Sequence, residues 1–440
     1  MNTSIYRQFW RYTIPTIAAM LVNGLYQVVD GIFIGHYVGA AGLAGINVAW
    51  PLIGSILGIG LMVGVGTGAL ASIRLGEKQP QKAQAVLSTG LVLLLLMSPV
   101  VSILLWCFAD DFLRLQGAQG EVFQLGLQYL DVLVFSCLFT LGSIAMPILL
   151  RNDGSPNLAT MLMVLGAITN IVLDYLFIGL LQWQLTGAAI ATALAQMVVL
   201  LVGLSYFFSR KAKLRLSKHN FSFQWRLLPQ IFAIGTSSFF MYAYGSMMVA
   251  LHNMSYGSPV LVGAYAILGY IIVVYYLIAE GIANGMQPLA SFYHGAGHSD
   301  NIKKLLKIAM SSAVLTGMVF IGLLNLFPEQ VVAVFNANDA ELTQHTITGI
   351  RLHMFAMFLD GFLVVTAAYY QSVNRGGKAL FVSIGNMMVQ LPFLFIMPKL
   401  LGITGVWLAF PLSNIALTLV VAIMLWRDIK RMPKNQWVEV

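Results

Sequence analysis

Twelve long apolar runs, separated by short polar segments, decide what this chain can fold into. They lie at about 12–34, 44–71, 84–108, 124–150, 158–180, 185–208, 229–255, 261–290, 305–327, 346–371, 379–398 and 403–426. A helix needs roughly 20 apolar residues to cross a bilayer, and each run meets that length. A closed barrel is the other structure that satisfies every backbone group in lipid. Its roughly 10-residue alternating segments are not found here. A soluble domain carries about 25% charged residues, whereas 59% of these 440 residues are hydrophobic and 9% are charged. The fold class is therefore an all-α integral membrane protein of twelve transmembrane helices. The first run contains Asn23, Gln27 and Asp30 and is too long for a cleavable signal peptide, so it reads as the first span.

The charges test this layout. The net charge is +8, but the basic residues lie between apolar runs rather than on one surface. That pattern fits membrane topology and argues against a nucleic-acid partner. With the N-terminus inside, 21 of the 24 basic residues, from Arg7 to Lys434, fall on the inner side. Arg114, Arg351 and Lys399 are the three on the outer side. A missed or extra span would scramble this alternation, so the positive-inside rule supports twelve. It places both termini in the cytoplasm and the chain, multi-pass, in the cytoplasmic (inner) membrane. Cys107 and Cys137 both lie inside apolar runs and carry no redox or metal motif.

The chain repeats itself. Leu70-Ala71-Ser72 followed by Gly76 returns as Leu289-Ala290-Ser291 followed by Gly295, a shift of 219 residues. Thr186-Gly187 and Thr404-Gly405 are shifted by 218. This divides the chain into an N-terminal six-helix lobe (1–209), a basic cytoplasmic linker (210–228) and a C-terminal six-helix lobe (229–440). Six is even, so the halves share one orientation and are related by a pseudo-two-fold axis along the membrane normal. Transporters use such repeats, with the substrate site between them.

Five acids fall inside spans: Asp30, Asp131, Asp174, Glu280 and Asp360. An ionised side chain at mid-membrane costs about 2.5–3.5 kcal/mol on the insertion scale. Each must face a cavity, find a partner or take a proton. Asp131, near a span end, reads as a snorkelling acid; the other four lie deeper. Asn23, Gln27 and Asp30 share one face of span one, and Asn170 and Asp174 share a face of span five. Thr192 adds a hydroxyl on span six, although bonding to its own helix explains it equally well. Carboxylate, amide and hydroxyl oxygens suit a hard cation, and a carboxylate alone suits a proton. In the second half, Tyr276, Glu280, Asn284 and Gln287 form a polar stripe on span eight. Asp360 has no such stripe. Met241, Met247 and Met248 on span seven are either ordinary packing or an adaptable apolar surface. His294 and His298 lack a third ligand, so no metal site is expected. No Walker or HExxH motif occurs, and no catalytic constellation points to an enzyme.

The chain resembles the MATE (multidrug and toxic compound extrusion) family over nearly its whole length. The resemblance rests on Pro15 and Asp30, on YQVVDGIFIGHYVGAAGLAG from Tyr26 to Gly45, and on RLGEKQPQKA from Arg74 to Ala83. RNDGSPN at the end of span four and NIVLDYLFIG in span five extend it. It implies two six-helix lobes around a central cleft. It also implies export of diverse, often cationic, drugs by alternating access, driven by Na⁺ or H⁺ entry. Asp30, Asn170, Asp174 and Thr192 look like the family's first-lobe cation site. Pro15 looks like a span-one proline tied to helix bending. Glu280 and Asp360 are the nearest counterparts of second-lobe coupling acids, with Tyr276, Asn284 and Gln287 beside them as substrate-site candidates. No cofactor is expected beyond the coupling ion. Expected partners are small-molecule drugs and membrane lipids, with the chain acting as a monomer. The competing reading is a flippase of lipids or lipid-linked oligosaccharides with a related fold. Such proteins often carry a cationic cavity, whereas these spans hold almost no basic residue away from their ends.

Overall fold

A computed structural model describes residues 4–335 and 338–433; Lys434, counted above among the inner basic residues, lies outside the described residues. Among them the regular structure is helical throughout. The first half comprises α1 (Ile5–Tyr37), α2 (Ala40–Gly76), α3 (Pro80–Leu115), α4 (Gly120–Asn152), α5 (Pro156–Asp174) and α6 (Gln184–Phe208). The second comprises α7 (Leu228–Tyr256), α8 (Pro259–Ala296), α9 (Ser299–Leu326), the short α10 (Pro328–Ala333), α11 (Ala340–His353), α12 (Phe358–Ser372), α13 (Gly376–Leu401) and α14 (Ile403–Lys430). Local chemistry sets several boundaries. Pro80, Pro156 and Pro328 open α3, α5 and α10, where a missing N–H costs nothing. Gly297, left-handed at φ 74, ends α8.

Ten of these helices are long and apolar enough to cross a membrane singly. The expected tenth span, 346–371, is instead two helices, α11 and α12, meeting at 52° across residues 354–357. The interruption carries only apolar residues, Met354, Phe355, Ala356 and Met357, so the hydropathy pattern runs through it unbroken. It places Asp360 in the first turn of α12, where a helix N-terminus favours a carboxylate. The remaining expected span, α7, has the length at 29 residues. Thr236, Ser237, Ser238, Tyr242 and Tyr244 dilute its apolar character.

The packing crosses between the halves at the end that carries the basic residues. The core of the first half takes in Ile231 and Ile234 from α7. A core of the second half takes in Ile5 and Phe9 from α1. The two leading helices thus exchange their first turns. A separate core near the opposite end of the second half surrounds Trp407 and Tyr275.

Glycines permit the approach. Gly66 and Met62 of α2 meet the backbone of Ile231 and Gly235 of α7. Gly285 and Gly281 of α8 meet Thr13 and Ile17 of α1. Between the two pairs, Gly76 lies against the Phe292 carbonyl and Gly295 against the Ile73 carbonyl. A methyl group at either glycine would overlap a backbone oxygen. Gly76 and Gly295, like Ile73 and Phe292, are 219 residues apart. The repeat is therefore realised as a reciprocal contact that shuts this end of the molecule. Ser72 donates to Asn152 Oδ1 at 2.7 Å, and Asn152 Nδ2 donates to Gln287 Oε1 at 2.9 Å, which joins α2, α4 and α8.

The basic linker is folded onto the first half. Buried Asp153 accepts from the Tyr206 hydroxyl (2.7 Å) and from the backbone N–H groups of Lys213 (3.0 Å) and Leu214 (2.8 Å). Leu214 and Leu216 are buried in the first-half core.

Candidate functional site

The first-half site is built from α1, α4, α5 and α6. Asp174 is fully buried and Asn170 is buried one turn before it. α5 ends at Asp174 and passes into a π-helical turn, Tyr175–Leu180. Such turns are rare and concentrate at functional sites. The Asp30 carboxyl of α1 lies within hydrogen-bonding reach of the Asp174 carboxyl. Asp30 Oδ1, Asn170 Oδ1 and both oxygens of Asp174 are buried and meet no hydrogen-bond donor among the described residues. The cluster offers acceptors only. Two carboxylates this close repel each other, so they need a shared proton or a cation. Carboxylate and amide oxygens are also the donor set of a hard cation.

A cavity of about 70 Å³ adjoins the pair, lined by Tyr26, Gln27, Asp30, Tyr129, Thr192 and Gln196 among others. Gln27 therefore shares the site with Asp30, while Asn23 lies outside the cavity wall. The side chain of Thr192 hydrogen-bonds Tyr129, so Thr192 connects to the acid pair through a tyrosine. Deeper in the wall, Thr140 Oγ1 donates to Gln196 Oε1 at 2.8 Å. Sequence reasoning missed Tyr26, Tyr129, Ser136, Thr140 and Gln196. A signal existed: Tyr129, Ser136 and Thr140 are seven and four residues apart on α4, and Thr192 and Gln196 are four apart on α6.

The second-half candidates separate into three places. Asp360 is buried, accepts from Asn414 Nδ2 of α14 and hydrogen-bonds the Tyr276 hydroxyl of α8. Asp360 Oδ2 and Asn414 Oδ1 are buried without a donor among the described residues. Nearby, the Tyr244 hydroxyl of α7 donates to buried Gln390 of α13. Glu280 is half-buried on α8, with Tyr242 of α7 beside it. Gln287 belongs to the shut end instead, bonded to Asn152 and, at 2.9 Å, to Ser291. Asn284, half-buried, lies between Glu280 and Gln287 on the helix. The stripe on α8 thus serves different neighbours along its length.

Pro15 sits inside α1, and its carbonyl accepts from Thr160 Oγ1 of α5 at 2.7 Å. This proline fixes α1 to the helix that carries Asp174. Asp131 is exposed, as an acid near a span end should be.

Known proteins share this arrangement. A family model described as MatE matches residues 15–176 and again 233–396. The chain is 24% identical over 443 residues to the multidrug export protein MepA of Staphylococcus saprophyticus, covering 100% of this chain and 98% of that protein. It is 25% identical over 448 residues to MepA of Staphylococcus aureus, with the same coverage. A solved structure of a multidrug resistance MATE family transporter of the MOP superfamily, in an outward-facing conformation, superposes with a TM-score of 0.92 at 25% identity. The alignment covers 98% of this chain and 97% of that one. With its family match in both halves and its fold shared with solved transporters, the chain belongs to the MatE family of multi-pass membrane transporters.

Proposed function

We propose that this protein is a cation-coupled antiporter that exports chemically diverse, often cationic, small molecules from the cytoplasm. In this reading it lies in the inner membrane with both termini inside, and the shut basic end faces the cytoplasm. The names of the MepA relatives support multidrug export as the activity. One observation carries the coupling: the contacting carboxyls of Asp30 and Asp174, beside Asn170, form an acceptor cluster that only a proton or a cation satisfies. Because three oxygen-bearing side chains converge, Na⁺ is the preferred coupling ion. Binding it would offset the repulsion between the carboxylates, and its release would restore it. That difference biases the lobes between two arrangements, as coupling requires.

Purified protein in liposomes, loaded with a cationic drug and given one gradient at a time, tests this. A Na⁺ gradient should drive uphill transport, and Asp30→Asn should abolish the drive while leaving a folded, monodisperse protein. Transport driven by a pH gradient at vanishing Na⁺, with no gain on adding Na⁺, assigns the site to a proton. Ion-driven transport that persists in Asp30→Asn removes the acid pair from coupling altogether.

A further inference from the structure

The basic end of the second half carries a groove that the transport reading does not use. It lies between the first turn of α13 and the last turns of α14 and encloses about 310 Å³. Lys378, Arg427, Asp428 and Arg431 line its polar side, and Val420, Ile423 and Met424 line its apolar side.

The charges in this groove do not cancel. Asp428 accepts from Lys378 Nζ at 2.6 Å and from the Tyr370 hydroxyl at 2.6 Å, and Arg375 lies 3.4 Å away. The one acid is therefore engaged by two cations and a hydroxyl. Arg427 and Arg431 form no ion pair among the described residues, and they are four residues apart on one face of α14. Below them, Val420 and Ile423 are 53% and 54% exposed. Trp426 is also exposed and holds Lys430 over its ring at 3.7 Å. Tryptophan and snorkelling lysine mark the level at which hydrocarbon gives way to water.

Two free guanidinium groups thus stand at the interface above an apolar ledge. Arginine matches phosphate oxygens in paired hydrogen bonds. Basic pockets between spans at this depth recognise acidic headgroups. We propose that the α13–α14 groove binds an anionic phospholipid, with its phosphate on Arg427 and Arg431 and its acyl chains along Val420 and Ile423. The orientation proposed above makes this a lipid of the cytoplasmic leaflet. The bound lipid would lie against the Lys378–Asp428 pair that ties α13 to α14.

The test uses the full-length protein in detergent, titrated with phosphatidylglycerol or phosphatidylcholine, with bound lipid counted by native mass spectrometry. Phosphatidylglycerol should be retained in preference. Arg427→Gln/Arg431→Gln should weaken its binding roughly thirtyfold, the loss expected for two basic contacts at an anionic surface. Arg210→Gln/Lys211→Gln, at the linker, should leave it unchanged. Equal retention of both lipids by the wild type overturns the proposal, as does undiminished binding in the glutamine pair. Inorganic phosphate that displaces the lipid at matched concentration would make this a soluble-anion site and also overturn it. If the glutamine pair does not fold, the wild type and Arg427→Lys/Arg431→Lys decide. Both must keep the preference at low salt and lose it at high salt, and a preference indifferent to salt sinks the idea. No transport is read, so a failure here leaves the coupling proposal untouched.

Discussion

Glu280 differs from the other deep acids in what surrounds it. Asp30 and Asp174 meet each other, and Asp360 meets Asn414 and Tyr276. Glu280 is half-buried beside Tyr242, with an aromatic face at hand for a cation. A role in holding cationic substrates follows, and Glu280→Gln should weaken efflux of a cationic drug while sparing a neutral one. Equal loss for both substrates would instead make Glu280 a coupling residue, and unchanged efflux of both would leave it structural. The spacing along single helices was enough to find Asp30, Asn170 and Asp174, because each pairing lies within one helix or involves an acid that has no place in lipid. Tyr129 and Asn414 were not found in this way. Their roles come from partners on other helices, and the register of one span against another leaves no trace in a hydropathy pattern.

The elements show the same division. Eleven expected spans appear as single helices, and charge alternation had fixed their order. The 52° break between α11 and α12 escaped that reading, since the residues that make it are as apolar as those on either side. The linker also proved more ordered than its charge implied, because Asp153 gathers its backbone N–H groups. The closest element contact, Gly76 and Gly295 across α2 and α8, can be disturbed directly. An added methyl that forces backbones apart costs about 1–3 kcal/mol, enough to shift a two-state equilibrium by about 5- to 150-fold. Gly76→Ala/Gly295→Ala should therefore open the basic end. A reporter Ser72→Cys, with Cys107 and Cys137 replaced by serine, would read this as faster labelling by a water-soluble thiol reagent. Ser72 is buried beside the contact, so an unchanged labelling rate would show that these glycines do not hold the end shut.

At the scale of the whole molecule, the two halves are alike in plan and unlike in chemistry. The family model matches each half separately, and the reciprocal glycine contact respects the repeat. The polar chemistry does not. The first half pairs two acids, whereas the second satisfies Asp360 with an amide and a phenol. The repeat itself could be read from two short words and a common shift, whereas the exchange of leading turns could not. Apolar Ile5, Phe9, Ile231 and Ile234 would suit either core equally well.

That exchange bears on how the chain is made. The ribosome delivers α1 some two hundred residues before the core that receives Ile5 and Phe9 exists. Until α8 and α9 are inserted, the start of α1 has no permanent neighbour. The first half likewise waits for Ile231 and Ile234 before its own core is complete. Assembly is therefore late and mutual, although insertion proceeds helix by helix. A gene cut in the linker after Ser217 should yield two fragments that are each degraded when made alone. Made together, they should accumulate and restore efflux. A first fragment that persists unaided, and resists protease as it does in the intact protein, would show that the borrowed turns contribute nothing to its stability.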